Sequence, residues 1–101
     1  MNGCEIIKTA DVSVRIMELA KDAATEWHYH TEVKDFFVCL TGMVAVETRN
    51  PAGRTTLDPG QRAEVGTGIV HRVVNISSEK SEYLLVQGVG VYDFCKALQK
   101  V

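Results

Sequence analysis

The residues of this chain best suited to chemistry are its histidines, of which there are three. Two of them, His28 and His30, stand in the stretch WHYHTEVKDFF (27–37), with the carboxylates of Glu32 and Asp35 close behind. In an extended strand, residues i and i+2 project to the same face. His28 and His30 therefore point the same way, and two neighbouring neutral imidazoles make half a chelate for a first-row transition metal. An H-x-H pair also arises on exposed polar strands, so the pair alone leaves both readings open. His71 follows the glycine-rich bend GTG (66–68), at the start of another apolar run. Polar residues that open strands at a barrel mouth commonly converge on one pocket. All three histidines then meet at one point, with a carboxylate to complete the set.

The elements that must position them read as short strands. VSVRIMEL (12–19) alternates with period two, Val12, Val14 and Ile16 against Ser13 and Arg15. WHYH (27–30) and DFFVCL (35–40) follow, the second closed by Thr41 and Gly42. MVAVETR (43–49) runs into NPAG (50–53), a hairpin turn by composition. RTTL (54–57) ends at DPG (58–60), another turn, and QRAEV (61–65) ends at GTG. HRVVNI (71–76) and EYLLVQGVGV (82–91) complete the set, and only the tail (92–100) has helical character. About eight short strands without a crossover helix predict an all-β antiparallel sandwich or barrel. The length of 101 residues predicts a single domain over 1–101.

Composition narrows the function classes. A hydrophobic content of 46% with 24% charged residues suits a folded globular chain rather than a disordered one. The net charge of −2 gives no electrostatic case for nucleic acid or an anionic membrane as partner. No apolar run approaches the roughly 20 residues needed to cross a bilayer. The start, MNGCEIIKTAD, lacks a basic segment followed by a long apolar one, so no secretory signal is expected. Cys4, Cys39 and Cys95 are odd in number and form no C-x-x-C pair, which predicts reduced thiols and a cytoplasmic protein. Cys39, within FFVCL, is expected to pack as a small hydrophobe.

Two stretches together resemble the motifs of the cupin superfamily. The first motif, G-x5-H-x-H-x3-4-E-x6-G, is matched over 28–42 by His28, His30, Asp35 and Gly42. The second, G-x5-P-x-G-x2-H-x3-N, is matched over 60–75 by Gly60, Gly68, His71 and Asn75. The two lie in order with 43–59 between them, and the strand pattern carries the likeness over nearly the whole chain. Three positions depart from the pattern: Asp22 replaces the first glycine, Gly66 the proline, and Asp35 the glutamate. Aspartate is one methylene shorter than glutamate but binds the same divalent metals. Glu32 is a rival, since it shares a face with His28 and His30 if the strand runs straight on. Asp35 is preferred because its spacing to Gly42 keeps the motif in register.

The resemblance implies a jelly-roll barrel of the double-stranded β-helix type. It also implies one divalent transition metal, manganese, iron, nickel, copper or zinc, held by His28, His30, Asp35 and His71. Such a set leaves open coordination positions and a formal charge of about +1, from the metal and one carboxylate. A small anionic ligand or substrate is therefore expected. The implied functions are a metal-dependent dioxygenase, isomerase or lyase acting on a small organic acid or carbonyl compound, or else a non-catalytic sugar or effector binder. Fold alone does not choose between these.

Strand parity fills in the surroundings. If Asp35 points inward, so do Phe37 and Cys39, and if His71 does, so do Val73 and Asn75. Phe37, Cys39 and Val73 are the expected pocket residues. Arg62, Glu64, Tyr83 and Gln87 lie on strands that can face it, although such residues more often sit on the surface or in packing. The run DFFVCL is apolar on both faces, the pattern of a strand buried on both sides. A small barrel has one interior, so Phe36, Val38 and Leu40 point out. A homodimer that covers them is expected, the alternative being that the tail folds back over that face.

Overall fold

The computed structural model describes residues 2–97, and ten strands form among them. They are β1 (Asn2–Lys8), β2 (Val12–Leu19), β3 (His28–Tyr29), β4 (Lys34–Thr41) and β5 (Val44–Thr48), followed by β6 (Gly53–Leu57), β7 (Arg62–Val65), β8 (His71–Asn75), β9 (Ser81–Gly88) and β10 (Cys95–Lys96). One sheet has the order β1-β2-β9-β4-β7 and the other β10-β3-β8-β5-β6. Every pairing is antiparallel. Chain neighbours such as β3 and β4 lie in opposite sheets, the jelly-roll arrangement. No helix among the described residues is long and apolar enough to cross a membrane.

The inner rows of four strands run from polar at one end to apolar deeper in. On β4 the row is Asp35, Phe37, Cys39, and on β8 it is His71, Val73, Asn75. On β9 it is Gln87, Leu85, Tyr83, and on β2 it is Arg15, Met17, Leu19. Register partners on neighbouring antiparallel strands share a face, so Phe37, Leu85 and Arg15 form one row across the sheet and Cys39, Tyr83 and Met17 the next. Met17, Leu19, Phe37, Cys39, Val73 and Tyr83 belong to the buried cluster that fills the barrel floor. The polar ends of the rows are left at the mouth.

Three sequence expectations change. β1 lies before the first strand read from the pattern, and pairs with β2 along its length. In β2, Val12, Val14 and Ile16 lie on the outer face and Arg15 on the inner one, a choice that the alternation alone left open. The tail is not helical over Tyr92–Ala97. Cys95 and Lys96 form β10 against Tyr29 and His28, and residues 98–101 lie outside the described residues. β9 also ends at Gly88 rather than at residue 91.

Two backbone positions explain motif residues. Gly42 has φ +77°, and a Cβ there would stand 2.1 Å from Ser81 Oγ. Asp22, which replaces the first motif glycine, has φ +65°. Aspartate is among the few residues that tolerate this left-handed region, so the substitution preserves the turn.

Candidate metal centre

Each sheet supplies one cross-strand pair to the mouth. His28 on β3 and His71 on β8 are register partners in one sheet, and Asp35 on β4 and Gln87 on β9 are partners in the other. His30 lies just past β3, where its carbonyl accepts the Gly68 N–H at 2.8 Å. That bond ties the glycine bend before His71 to the H-x-H stretch. One ligand atom from each of His28, His30, Asp35 and His71 falls within 4.8 Å of all the others. All four side chains are buried. Glu32 stays outside this group, exposed, with its Oε1 accepting the Val91 N–H at 3.1 Å. Glu32 lies in the bend between β3 and β4, whereas Asp35 stands on β4 itself.

The imidazoles are oriented by backbone. Nδ1 of His28 lies 2.6 Å from the Glu26 carbonyl, Nδ1 of His30 2.5 Å from that of Asp93, and Nδ1 of His71 2.8 Å from that of Ile69. A carbonyl oxygen only accepts, so each Nδ1 carries the proton and each Nε2 is left for the centre. Asp35 Oδ2 is 3.1 Å from His30 Nε2 and 2.8 Å from His71 Nε2. Both contacts of a ring are hydrogen bonds only if that ring is doubly protonated. A divalent cation between the nitrogens and Asp35 satisfies the same atoms with both rings neutral. The donor set therefore fits a metal of the kind that takes imidazole and carboxylate together.

Burial acts against charge on His28, His30 and Asp35, and local partners decide the outcome. Burial holds His28 down at about 4, so it is neutral at physiological pH. Burial also pulls His30 down, but the hydrogen bond and charge of Asp35 outweigh it and raise the pKa above 6.5. Burial pushes Asp35 up, yet hydrogen bonds from His30, His71 and Gln87 bring it well below the usual carboxylate range. The carboxylate stays ionised. Burial pushes the Tyr83 phenol up, which keeps it protonated.

A cavity of about 360 Å³ opens onto His28, His30 and Asp35. Phe37, Val73, Tyr83 and Gln87 line it, whereas Cys39 lies in the core below and is not part of the lining. Arg62 and Glu64 are exposed on the far side of the sheet, because their partners in β4 are the outward-facing Val38 and Phe36. Arg15, Tyr92 and Phe94 are among the further lining residues that escape the sequence pattern. Phe94 stacks on His28 with ring centroids 4.4 Å apart, and Tyr92 lies 5.4 Å from His30. Asp93, between them, accepts from the Thr31 N–H through Oδ1 at 2.9 Å. An aromatic–acid–aromatic run after the last long strand was the available signal.

Residues 15–87 match the cupin domain family, and the chain belongs to it. No curated protein matches the chain. Among solved structures, an uncharacterised double-stranded β-helix protein from Klebsiella pneumoniae superposes with a TM-score of 0.82 at 22% identity, covering 94% of this chain and 82% of that one. KdgF from Halomonas sp. gives 0.76 at 16%, covering 87% and 79%. Oxalate oxidase in complex with the substrate analogue glycolate gives 0.82 at 13%, covering 95% of this chain and 54% of that one. The chain thus spans about half the length of that oxidase. At these identities the likeness establishes the fold, a cupin double-stranded β-helix.

Proposed function

We propose that the protein binds one divalent transition metal through His28, His30, Asp35 and His71 and acts as a metal-dependent enzyme on a small organic acid or carbonyl compound, by dioxygenase, isomerase or lyase chemistry. The convergence of three imidazoles with fixed Nδ1 protons on one buried, ionised carboxylate carries this reading. When bound, the metal supplies Lewis acidity towards a substrate oxygen. The chain itself supplies orientation: Gln87 Nε2 donates to Asp35 Oδ1 at 2.9 Å, and the apolar floor keeps water from the ligands. Phe94 and Tyr92 close one side of the cavity.

The same reading takes residues 1–101 as one barrel, a homodimer in solution, resident in the cytoplasm. Free Cys4, Cys39 and Cys95 agree with a reducing compartment. Phe36 and Leu40, 39% and 38% exposed on the outer sheet face, support the dimer.

Elemental analysis of the purified protein tests the site, with about one metal per chain expected. The His28→Ala, His71→Ala double variant should lose it, and full retention there would end the reading. Asp35→Ala should deplete metal more than Glu32→Ala, and the reverse order would transfer the carboxylate role to Glu32. Catalysis requires an exchangeable position, so a small carboxylate should perturb the spectrum of cobalt-substituted protein. No perturbation would leave a binding module.

A further inference from the structure

Arg15 projects from β2 into the same cavity as the histidines. Its Nη2 donates to Gln87 Oε1 at 2.9 Å, and its guanidinium carbon lies 5.9 Å from the centre of the Tyr92 ring. Its Nε is different. Among the described residues it is the one solvent-shielded side-chain nitrogen or oxygen that has no hydrogen-bond partner. Arg15 also makes no ion pair among these residues, although Glu5 is its register partner on β1.

A guanidinium cannot shed its charge, and no carboxylate among the described residues pairs with it, so an anion entering the cavity is the group that can neutralise it. A carboxylate is the matching group, because its two oxygens suit the planar fork of donors. Gln87 cannot fill this role, since its Oε1 is taken by Nη2 and its Nε2 by Asp35. The amide instead links the guanidinium to the ligand cluster. Arg15 therefore stands one side chain away from the carboxylate that serves the metal centre. The wall beside it includes Met17, Leu85 and Phe94, which suits a short hydrocarbon segment.

We infer that Arg15 is the specificity-determining residue of the pocket and that the ligand is a small carboxylic acid with a second oxygen donor. Its carboxylate pairs with the Arg15 guanidinium, and its second oxygen is directed at the histidine cluster. This rests on the metal-site reading above for the role of the second oxygen, but not for the carboxylate contact, which Arg15 makes without ligating metal. A neutral sugar offers hydroxyl acceptors but no charge to pair with the guanidinium, so the pocket favours the acid over it.

The test is calorimetric titration of zinc-loaded and metal-free protein with 2-hydroxybutyrate and with its uncharged amide, alongside zinc analysis. Loaded wild-type protein should bind the acid about tenfold or more tighter than the amide. Arg15→Gln, compared at matched zinc content, should remove that preference. A preference that survives in zinc-loaded Arg15→Gln, or a wild type that binds neither compound or both equally, overturns the inference. If wild-type protein holds no zinc, the metal reading fails separately. The metal-free comparison then decides Arg15 alone, by whether an acid preference exists and Arg15→Gln removes it. Should Arg15→Gln not fold, Arg15→Lys decides, since it keeps the charge and loses the fork. A loss of acid affinity of about tenfold at constant amide affinity supports the assignment, and undiminished acid affinity overturns it.

Discussion

Gln87 and Asp35 are register partners on β9 and β4, and the Gln87 amide donates to Asp35 Oδ1 at 2.9 Å. The other end of the same amide accepts from Arg15. Arginine only donates and a carboxylate only accepts, so the amide has one workable orientation. Asp35 is thereby held on its Oδ1 side by Gln87, with Oδ2 turned to His30 and His71.

Removing that support should weaken the metal site without removing a ligand. Gln87→Leu is expected to lower metal affinity by about 10- to 100-fold, the usual effect of losing an outer hydrogen bond to a ligand. Competition with a chromophoric chelator measures it. Unchanged affinity would show that the histidines alone orient Asp35.

Metal affinity should fall as pH falls, because His30 has to give up a proton to bind. With His28 at about 4 and Asp35 below its usual range, neither takes up a proton between pH 8 and 6. His30, raised above 6.5, holds one on the nitrogen that the metal needs. Displacing one proton weakens binding by about tenfold for each pH unit below that pKa. Chelator competition at pH 8, 7 and 6 checks this, and a flat profile would contradict it. In the metal-free protein the two shifts oppose each other. Stabilisation from His30 is full below pH 6.5 and fades as pH rises through its folded pKa, whereas that from His28 is full above 6.5 and is lost as pH falls towards about 4.

Gly42 closes the turn after β4, and its substitution should be costly for two separate reasons. Alanine at φ +77° is strained, and its Cβ would overlap Ser81 Oγ. That hydroxyl donates to Asn75 Oδ1 at 2.7 Å and accepts the Met43 N–H at 3.1 Å, so its displacement strands buried polar groups. Gly42→Ala should lose about 2–4 kcal/mol, which lowers Tm by roughly 10 °C or more. Thermal unfolding followed by circular dichroism reads this directly. A Tm within about 2 °C of wild type would mean that the turn and Ser81 yield easily.

Legibility in the sequence followed the uniqueness of each local pattern. β4 and β8 each carry a polar inner residue at the mouth with an apolar one two positions on, so the inward sense of Phe37 and Val73 could be read from Asp35 and His71. β2 carries apolar residues on both faces, and the half-buried outer row of Val12, Val14 and Ile16 is the more regular. The alternation therefore left its inward face open, and Arg15 was hidden. Phe94 and Tyr92 reach the site by packing of an irregular segment, and Asp93 by a backbone carbonyl, none of which leaves a periodic trace. β10 is two residues long and exists only through its pairing with β3.

The same two-faced pattern bears on assembly. Outward from the β1-β2-β9-β4 part of the sheet, Ile7 pairs with Val14, Ile16 with Leu84, and Val86 with Phe36. These form a continuous apolar band, with Ile7 54% exposed and Phe36 39% exposed. The described tail does not cover it, since Phe94 stacks on His28 and β10 pairs with β3 in the opposite sheet. Fully burying side chains of this size is worth about 1.5–3 kcal/mol each. A second copy packed about a two-fold axis is the economical cover, because each protomer presents the same band to the other. Sedimentation at micromolar concentration should therefore give twice 11.1 kDa, and Phe36→Glu with Val38→Glu should give the single mass. Both substitutions lie outside the cavity lining, so metal content per chain should not change. A wild-type mass of 11.1 kDa that does not rise with concentration would rule out the dimer.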